Sequence, residues 1–320
     1  MTKLIIHVGF PKTASTTVQN HLFKLLPNNK YNYIHEAHEN LRLNETMFRT
    51  HHLDSSINGF SDVDYKSLIE EDKINLVSDE ELTIPNQYKK NRLYNVSQNS
   101  NLLREYFGEQ FDYEIIIVLR NQKDWLYSVF VDGYGKPYFK KNPRETFFEK
   151  GQLKEKLINE IDYYSILNAY TKTFGKNSIK ILLFEDFKKD KKTYIKGLSD
   201  VLDINFDFIM QNLEGKHSRS KAKNNKGYLT ENFQARKFVL ILVRLRAKYF
   251  LIDKLIRKII TLHVYKILKT KILRKQIKKT IPFFNSEEKA VIFDTFKESN
   301  LALAKEYNLD IEKMREYGYF

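Results

Sequence analysis

The stretch IIHVGFPKTASTTVQNHLF, residues 5–23, joins an apolar run to a cluster of small polar residues. The apolar run predicts a buried strand over 4–8, and the residues from about Thr16 to Leu26 predict a helix. Small side chains at the start of a helix let an anion approach its unpaired first-turn amides, and Lys12 adds a mobile positive charge. The stretch therefore predicts an anion-binding turn. The alternative is a capped helix with an exposed lysine.

Three further apolar runs predict strands, over Ile74–Val77, 112–120 and 178–187. The centre of run 112–120 is continuously apolar and mostly β-branched, which is typical of a strand buried on both faces. Helical stretches such as 98–107 and 152–174 alternate with these strands, a pattern that predicts an α/β fold with a parallel sheet. Because sites in such sheets lie beyond the carboxyl ends of the strands, we expect the residues that follow the four strands to converge.

The first stretch does not fit the common nucleotide-binding loop GxxxxGK[ST], because Lys12 precedes the small residues. GFPKTASTTVQ instead resembles the 5′-phosphosulfate loop of PAPS-dependent sulfotransferases, usually PKTGTT or PKSGTT, with Ala14 in place of the usual Gly. The resemblance implies a P-loop-like, three-layer fold. It also implies a PAPS donor, an adenosine 3′,5′-bisphosphate product and no metal. The loop contacts that it implies are Pro11, Lys12, Thr13, Ala14, Ser15, Thr16 and Thr17.

A second motif is IIIVLRNQKDWLYSVF, in which Ser128 follows Arg120 by eight residues. Arginine offers a permanently charged, bidentate fork for a phosphate. The spacing resembles the Arg and Ser with which the same family holds the 3′-phosphate of PAPS, although Gln122 stands where the family often has Pro. The alternative is that Arg120 pairs with a structural carboxylate. The late run IKILLFEDFKKD and the pair Ser299-Asn300 also resemble the family, so the resemblance covers roughly 1–220 and 285–306.

Sulfuryl transfer needs a base for the acceptor hydroxyl and a cation for the departing phosphate. Lys12 is the predicted cation. Many carbohydrate-directed sulfotransferases have Ser-x-Glu after a strand, which Ser78-Asp79-Glu80 resembles, so Glu80 is the predicted base. The structural alternative is that Glu80 or Glu81 is the acidic start of a helix. The less favoured candidates for the base are His35, His51 and His52.

A basic stretch, 214–228, reads EGKHSRSKAKNNKGY and is interpreted as a long loop. In the family a late basic segment helps to close over the nucleotide. No specific pattern is matched, and a basic loop is usually only solvated. Its predicted nucleotide contacts are Lys216, His217, Ser218 and Arg219.

The net charge of +14 belongs to one segment, because residues 236–280 hold 15 Lys or Arg and a single acid, Asp253. Apolar residues recur there at helical spacing, which predicts basic amphipathic helices over about 231–281. Such helices pack on a core with a solvated basic face, lie on an anionic membrane, or hold an acidic acceptor. Nucleic acid is not expected, because no nucleic-acid motif accompanies the charge.

The 320-residue chain contains no cysteine, which excludes a disulfide framework and thiolate metal sites. No signal-peptide pattern and no uncharged apolar run of about 20 residues occurs. We therefore expect a cytoplasmic protein, peripheral at the inner face of the membrane if the basic segment binds lipid. The family resemblance implies a bacterial one. One domain is predicted over 1–320, with its core at 1–220 and 285–306 and the basic helical insertion at about 231–281.

Together these features predict transfer of a sulfuryl group from PAPS to a hydroxyl of a carbohydrate, such as a glycan, polysaccharide or glycolipid. Two alternatives remain open. A nucleotide-dependent kinase would use the same phosphate loop without requiring a 3′-phosphate. A non-catalytic protein that binds a membrane surface would keep the fold without the reaction.

Overall fold

The computed structural model describes residues 1–34, 65–79, 82, 96–133, 142–215, 222–223, 228–232, 276–280 and 283–320. The chain divides into two compact units. The larger comprises Met1–Arg219 together with Phe284–Phe320, and the smaller comprises Ser220–Phe283. The turn after residue 8 and the segment around Arg120 both belong to the larger unit.

A five-stranded sheet forms the centre of the larger unit. Numbered in chain order, its strands are β1 (Thr2–His7), β2 (Tyr31–Ile34), β3 (Ile74–Ser78), β4 (Phe111–Leu119) and β7 (Ile179–Leu183). They lie in the order β2–β3–β1–β4–β7, and every neighbouring pair is parallel. A separate antiparallel hairpin consists of β5 (Phe148–Glu149) and β6 (Gln152–Leu153).

The strand register brings the predicted site segments to one edge of this sheet. His7, the last residue of β1, pairs with Ser78, the last residue of β3. The amide of Val8 donates to the carbonyl of Ile116 on β4 at 3.0 Å. The turn after β1, the exit of β3 and the end of β4 therefore lie side by side, as the parallel topology predicts.

Helices surround the sheet. In chain order they are α1 (Ser15–His21), α2 (Val96–Phe107), α3 (Gln122–Gly133), α4 (Pro143–Phe147), α5 (Glu155–Ile161), α6 (Tyr163–Phe174), α7 (Phe184–Lys189), α8 (Lys191–Leu202), α9 (Phe206–Leu213), α10 (Ser286–Glu306) and α11 (Ile311–Glu316). Short 3₁₀ turns cover Phe23–Leu25, Tyr65–Leu68 and Lys176–Ser178.

The sheet is buried on both faces. On one face, Ile5, Leu76 and Ile116 form a continuous core with α1, α8 and α9. Side chains alternate along a strand, so Leu4 and Ile6 point to the other face, and they too are fully buried. There α2 and α10 pack against α6. The predicted α/β class, a central parallel sheet flanked by helices, is confirmed.

Several predicted boundaries differ from the observed ones. The predicted strand 178–187 ends at Leu183, and Glu185 and Asp186 lie in α7. The predicted helix 152–174 is two helices that meet at Asp162, preceded by β6. The acidic first turn after Ser286 predicts a helix over 286–306 with Ser286 as its N-cap. Helix α10 has these bounds, but Ser286 is its first residue and not its N-cap. Asn285 caps it in a reciprocal pair with Glu288, which completes a capping box.

In the smaller unit, the described residues form a three-stranded antiparallel sheet of β8 (Ala222–Lys223), β9 (Tyr228–Asn232) and β10 (Gln276–Thr280). The helical prediction for 231–281 is therefore wrong at its two ends. Pro282 disfavours helical backbone at the residue before it, and Gly227, just before β9, has a low helix propensity. Residues 233–275 lie outside the described residues, so the basic helical insertion and its partner stay predictions. Among the described residues, no helix is long and apolar enough to cross a membrane.

Candidate active site

The turn after β1 contains two residues in the left-handed region. Lys12 has φ 71° and Ala14 has φ 68°. Ala14 is the N-cap of α1, and its carbonyl accepts from the amides of Thr17 at 2.8 Å and Val18 at 3.1 Å. The Thr13 hydroxyl donates to the Phe10 carbonyl at 2.5 Å, which closes the turn from inside. Ala14 thus occupies a left-handed position, which glycine adopts without the strain that a Cβ causes.

The segment that follows β4 holds the turn in place. The indole Nε1 of Trp125 on α3 donates to the Pro11 carbonyl at 2.8 Å. The Nη1 of Arg120 donates to the Lys12 carbonyl, also at 2.8 Å. Trp125 is buried and is the only tryptophan of the chain. Two successive carbonyls of the turn are thus fixed by two side chains five residues apart.

Arg120 lies at the exit of β4 in a largely buried position. Its Cζ lies 4.6 Å from the centre of the Phe184 ring, a cation–π contact. The Tyr163 hydroxyl donates to the Arg120 carbonyl at 2.5 Å, which fixes the backbone there. Burial lowers the pKa of the guanidinium, but arginine stays charged at neutral pH. Its Nε is buried and has no hydrogen-bond partner among the described residues, so a ligand oxygen is the kind of group that would complete it.

A carboxylate beside Arg120 has a structural role. Glu185 accepts from the amide of Asn121 at 3.0 Å and from the Tyr319 hydroxyl at 3.0 Å. Burial raises the pKa of Glu185. Its partners tie the exit of β4 to the C-terminal segment. The alternative in which Arg120 forms an ion pair with a carboxylate is not observed among the described residues, although Glu185 and Asp124 attract it through space.

Ser128 lies on α3, two turns after Arg120, and is partly exposed. Its side chain makes no hydrogen bond to any described residue, so the two predicted 3′-phosphate ligands are not in contact with each other. Both nevertheless belong to the same strand-to-helix segment. Lys12, by contrast, is joined to Arg120 directly through its carbonyl.

A polar cluster joins the ends of β1 and β3. The Nδ1 of His7 lies 2.7 Å from the Ser78 hydroxyl, to which Gln19 Nε2 on α1 also donates at 2.9 Å. The amide of Asp79 donates to the His7 carbonyl at 3.0 Å. Burial lowers the pKa of His7 to about 4, so the imidazole is neutral at pH 7. This cluster fixes the segment that leads directly to Glu80.

Gly9 lies against the same imidazole. A Cβ on Gly9 would approach His7 Nε2 to 2.9 Å and His7 Cε1 to 3.1 Å. Only a residue without a side chain therefore fits beside the buried ring, and this requirement explains the glycine at the start of the turn.

A family model described as sulfotransferase domain matches residues 2–240 of the chain. The chain belongs to the sulfotransferase family. It is a sulfotransferase enzyme, and the PAPS-dependent family recognised in the sequence is confirmed. No curated protein sequence matches the chain significantly.

Two solved structures resemble this sulfotransferase. A sulfotransferase from Alicyclobacillus acidocaldarius is 13% identical with a TM-score of 0.45, and the match covers 77% of this chain and 95% of that one. The mouse sulfotransferase SULT7A1 complexed with PAP is 12% identical with a TM-score of 0.38, and the match covers 70% of this chain and 67% of that one.

Several predicted residues of this sulfotransferase lie outside the described residues. They are the predicted base Glu80, the less favoured candidates His35, His51 and His52, and the loop contacts Lys216, His217, Ser218 and Arg219. Their roles stay predictions. Asp79, the last described residue before Glu80, is buried. Within the described residues, no group of three or more His, Asp or Glu side chains is arranged to hold a metal ion.

Three contributors to the site were not predicted from the sequence: Trp125, His7 and Gln19. A single tryptophan close after the predicted phosphate-binding arginine was the available signal for the first. His7 and Gln19 were not detectable as a pair, because their meeting at Ser78 depends on the register of β1 and β3.

Proposed function

We propose that this sulfotransferase moves a sulfuryl group from PAPS to a hydroxyl of a carbohydrate acceptor and releases adenosine 3′,5′-bisphosphate. The observation that supports the proposal most strongly is the hydrogen bond from Arg120 Nη1 to the Lys12 carbonyl. It joins the two segments in which the sequence analysis identified ligands for the two phosphorylated ends of one nucleotide.

The residues of the site suit such a nucleotide. Pro11 to Thr17 form a turn with two left-handed residues, a shape that exposes backbone amides to an anion. The buried, unpaired Nε of Arg120 suits a second phosphate. In this assignment Lys12 and the turn hold the 5′-phosphosulfate, while Arg120 and Ser128 hold the 3′-phosphate.

PAPS supplies an activated sulfuryl group on a phosphate leaving group. In the proposed reaction the bond between the acceptor oxygen and sulfur forms while the bond between sulfur and the bridging phosphate oxygen breaks. Lys12 stabilises the negative charge that develops on the bridging oxygen. Glu80 accepts the proton of the acceptor hydroxyl. His7, neutral and bound to Ser78, holds the segment that carries Glu80 against β1.

A carbohydrate acceptor is inferred from Ser78-Asp79-Glu80 and from the polar and aromatic segments 36–72 and 132–150, which are suited to sugar hydroxyls. Most residues of these two segments lie outside the described ones.

The proposal is tested by incubating the full chain with radiolabelled PAPS and a panel of neutral and acidic polysaccharides and glycolipids. Label is expected on at least one carbohydrate, with equimolar release of adenosine 3′,5′-bisphosphate. Lys12→Ala is expected to lower turnover about a thousandfold or more and to change bisphosphate affinity much less. Glu80→Gln should also lose most turnover. A Glu80→Gln variant with wild-type turnover would assign the base to another residue, and label on phenols or peptides alone would contradict the carbohydrate assignment.

A further inference from the structure

The ring of Phe184 is flanked by two cations. Phe184 is buried at the start of α7. Arg120 Cζ and Lys188 Nζ each lie 4.6 Å from the centre of this ring. The distance between Arg120 Cζ and Lys188 Nζ is therefore at most the sum of these two distances. The two side chains are close enough for the charge of Arg120 to act on Lys188.

The two carboxylates that attract these cations are bound to other groups. Within the described residues, neither Arg120 nor Lys188 forms an ion pair, and the Nε of Arg120 has no partner. Asp124 and Glu185 attract both cations through space. Glu185, however, already accepts hydrogen bonds from Asn121 and Tyr319. Asp124 forms an ion pair with Lys123, with 3.7 Å between Oδ1 and Nζ. The pair of cations thus has capacity for a further anion.

The surroundings of Lys188 are consistent with the binding of an anion. Lys188 is an exposed residue, yet partial burial of its amino group and the neighbouring charge of Arg120 lower the pKa of Lys188. Two like charges held near one ring repel each other, and a bound phosphate dianion would convert that repulsion into attraction.

We propose that Lys188 is a further ligand of the 3′-phosphate and binds it together with Arg120. This inference rests on the proposed use of PAPS, and it names a residue that the sequence motifs did not indicate. The simpler alternative is that the aliphatic part of Lys188 covers Phe184 while its amino group remains in water. Binding measurements separate the two.

The adjacent lysine provides a matched control. Lys189 is on the same helix and carries the same charge, but its Nζ lies 3.4 Å from Glu316 and 4.6 Å from the centre of the Tyr317 ring. Removing it changes the net charge by the same amount without removing a cation beside Phe184. Any general electrostatic effect on nucleotide binding should therefore appear equally in Lys188→Ala and Lys189→Ala.

The experiment is a calorimetric titration of the full chain with adenosine 3′,5′-bisphosphate and with adenosine 5′-monophosphate, which lacks the 3′-phosphate. Lys188→Ala is expected to weaken bisphosphate binding about tenfold to a hundredfold and monophosphate binding less than about twofold. Lys188→Arg should retain most of the affinity, and Lys189→Ala should leave both ligands nearly unchanged. Circular dichroism checks the fold, and Lys188→Gln replaces the alanine variant if that variant does not fold.

Two results would overturn the inference alone: a Lys188→Ala variant that keeps its preference for the bisphosphate, or one that loses affinity for both ligands equally. If the wild-type chain itself does not distinguish the two nucleotides, the proposed function fails, and the assignment of Lys188 fails with it.

Discussion

Arg120 Nη1 donates to the carbonyl of Lys12 at 2.8 Å, across 108 residues of sequence. The contact places the residue predicted to stabilise the leaving group next to the residue predicted to bind the far end of the nucleotide. A change at one end of the ligand is therefore coupled to the backbone that carries Lys12.

Trp125→Phe keeps an aromatic ring beside Phe10 but removes the indole donor to the Pro11 carbonyl. Loss of one such bond costs about 1–3 kcal/mol. We expect kcat/KM for PAPS to fall about tenfold or more because the turn is less well positioned, with a smaller change in the free energy of unfolding. Steady-state kinetics and urea unfolding measure the two quantities.

A control for this variant is Tyr106→Phe, which removes a polar atom from a buried ring on α2 and should leave PAPS kinetics unchanged. Because Trp125 is the only tryptophan, its fluorescence should also change when the wild-type chain binds adenosine 3′,5′-bisphosphate. Wild-type kinetics in Trp125→Phe would show that the indole contributes only to packing.

Ala14→Gly should stabilise the protein. Ala14 has φ 68°, where an alanine costs about 1 kcal/mol relative to glycine. Thermal and urea unfolding are expected to show a gain of about this size. The matched control is Ala304→Gly, inside helix α10 and fully buried, which should destabilise by about 1 kcal/mol or more. If Ala14→Gly were as destabilising as Ala304→Gly, the left-handed conformation at Ala14 would be contradicted.

Because His7 is buried, the folded protein is expected to lose stability in acid. Its pKa in the folded protein is about 4, below the value of about 6.5 in the unfolded chain. Between these values the unfolded chain binds the proton and the folded chain does not, so the free energy of unfolding falls as pH decreases from about 6.5 to 4.

The His7→Gln variant measures this contribution. It keeps a polar side chain beside Ser78 but does not titrate. The difference in unfolding free energy between wild type and variant should therefore move in favour of the variant by about 2–3 kcal/mol from pH 7 to pH 4. A difference that stays constant over this range would mean that His7 becomes protonated in the folded state without cost.

The parts of the fold that sequence patterns predicted are those set by local chemistry. The β-branched run at Ile115–Val118 has few options other than a strand buried on both faces, and Pro11-Lys12-Thr13 followed by small residues marks a tight turn. Strand β2 was missed because Tyr31–Ile34 is short and half polar, and its place in the sheet comes from pairing with β3.

The contacts that shape the site were beyond sequence patterns for a different reason. Trp125 meets Pro11, and Arg120 meets Phe184, only after β1, β4 and β7 have aligned. These contacts depend on register and on helix placement rather than on residue spacing. Residue type indicated candidate ligands for phosphate, while the fold determined which of them meet.

The central claim is that this sulfotransferase recognises a nucleotide phosphorylated at both its 5′ and 3′ positions. Calorimetric titration of the wild-type chain and Arg120→Ala with adenosine 3′,5′-bisphosphate and adenosine 5′-monophosphate tests it most directly. The wild type is expected to bind the bisphosphate about a hundredfold more tightly than the monophosphate, and Arg120→Ala should lose most of that preference. Equal, weak binding of both nucleotides by the wild-type chain would contradict the claim.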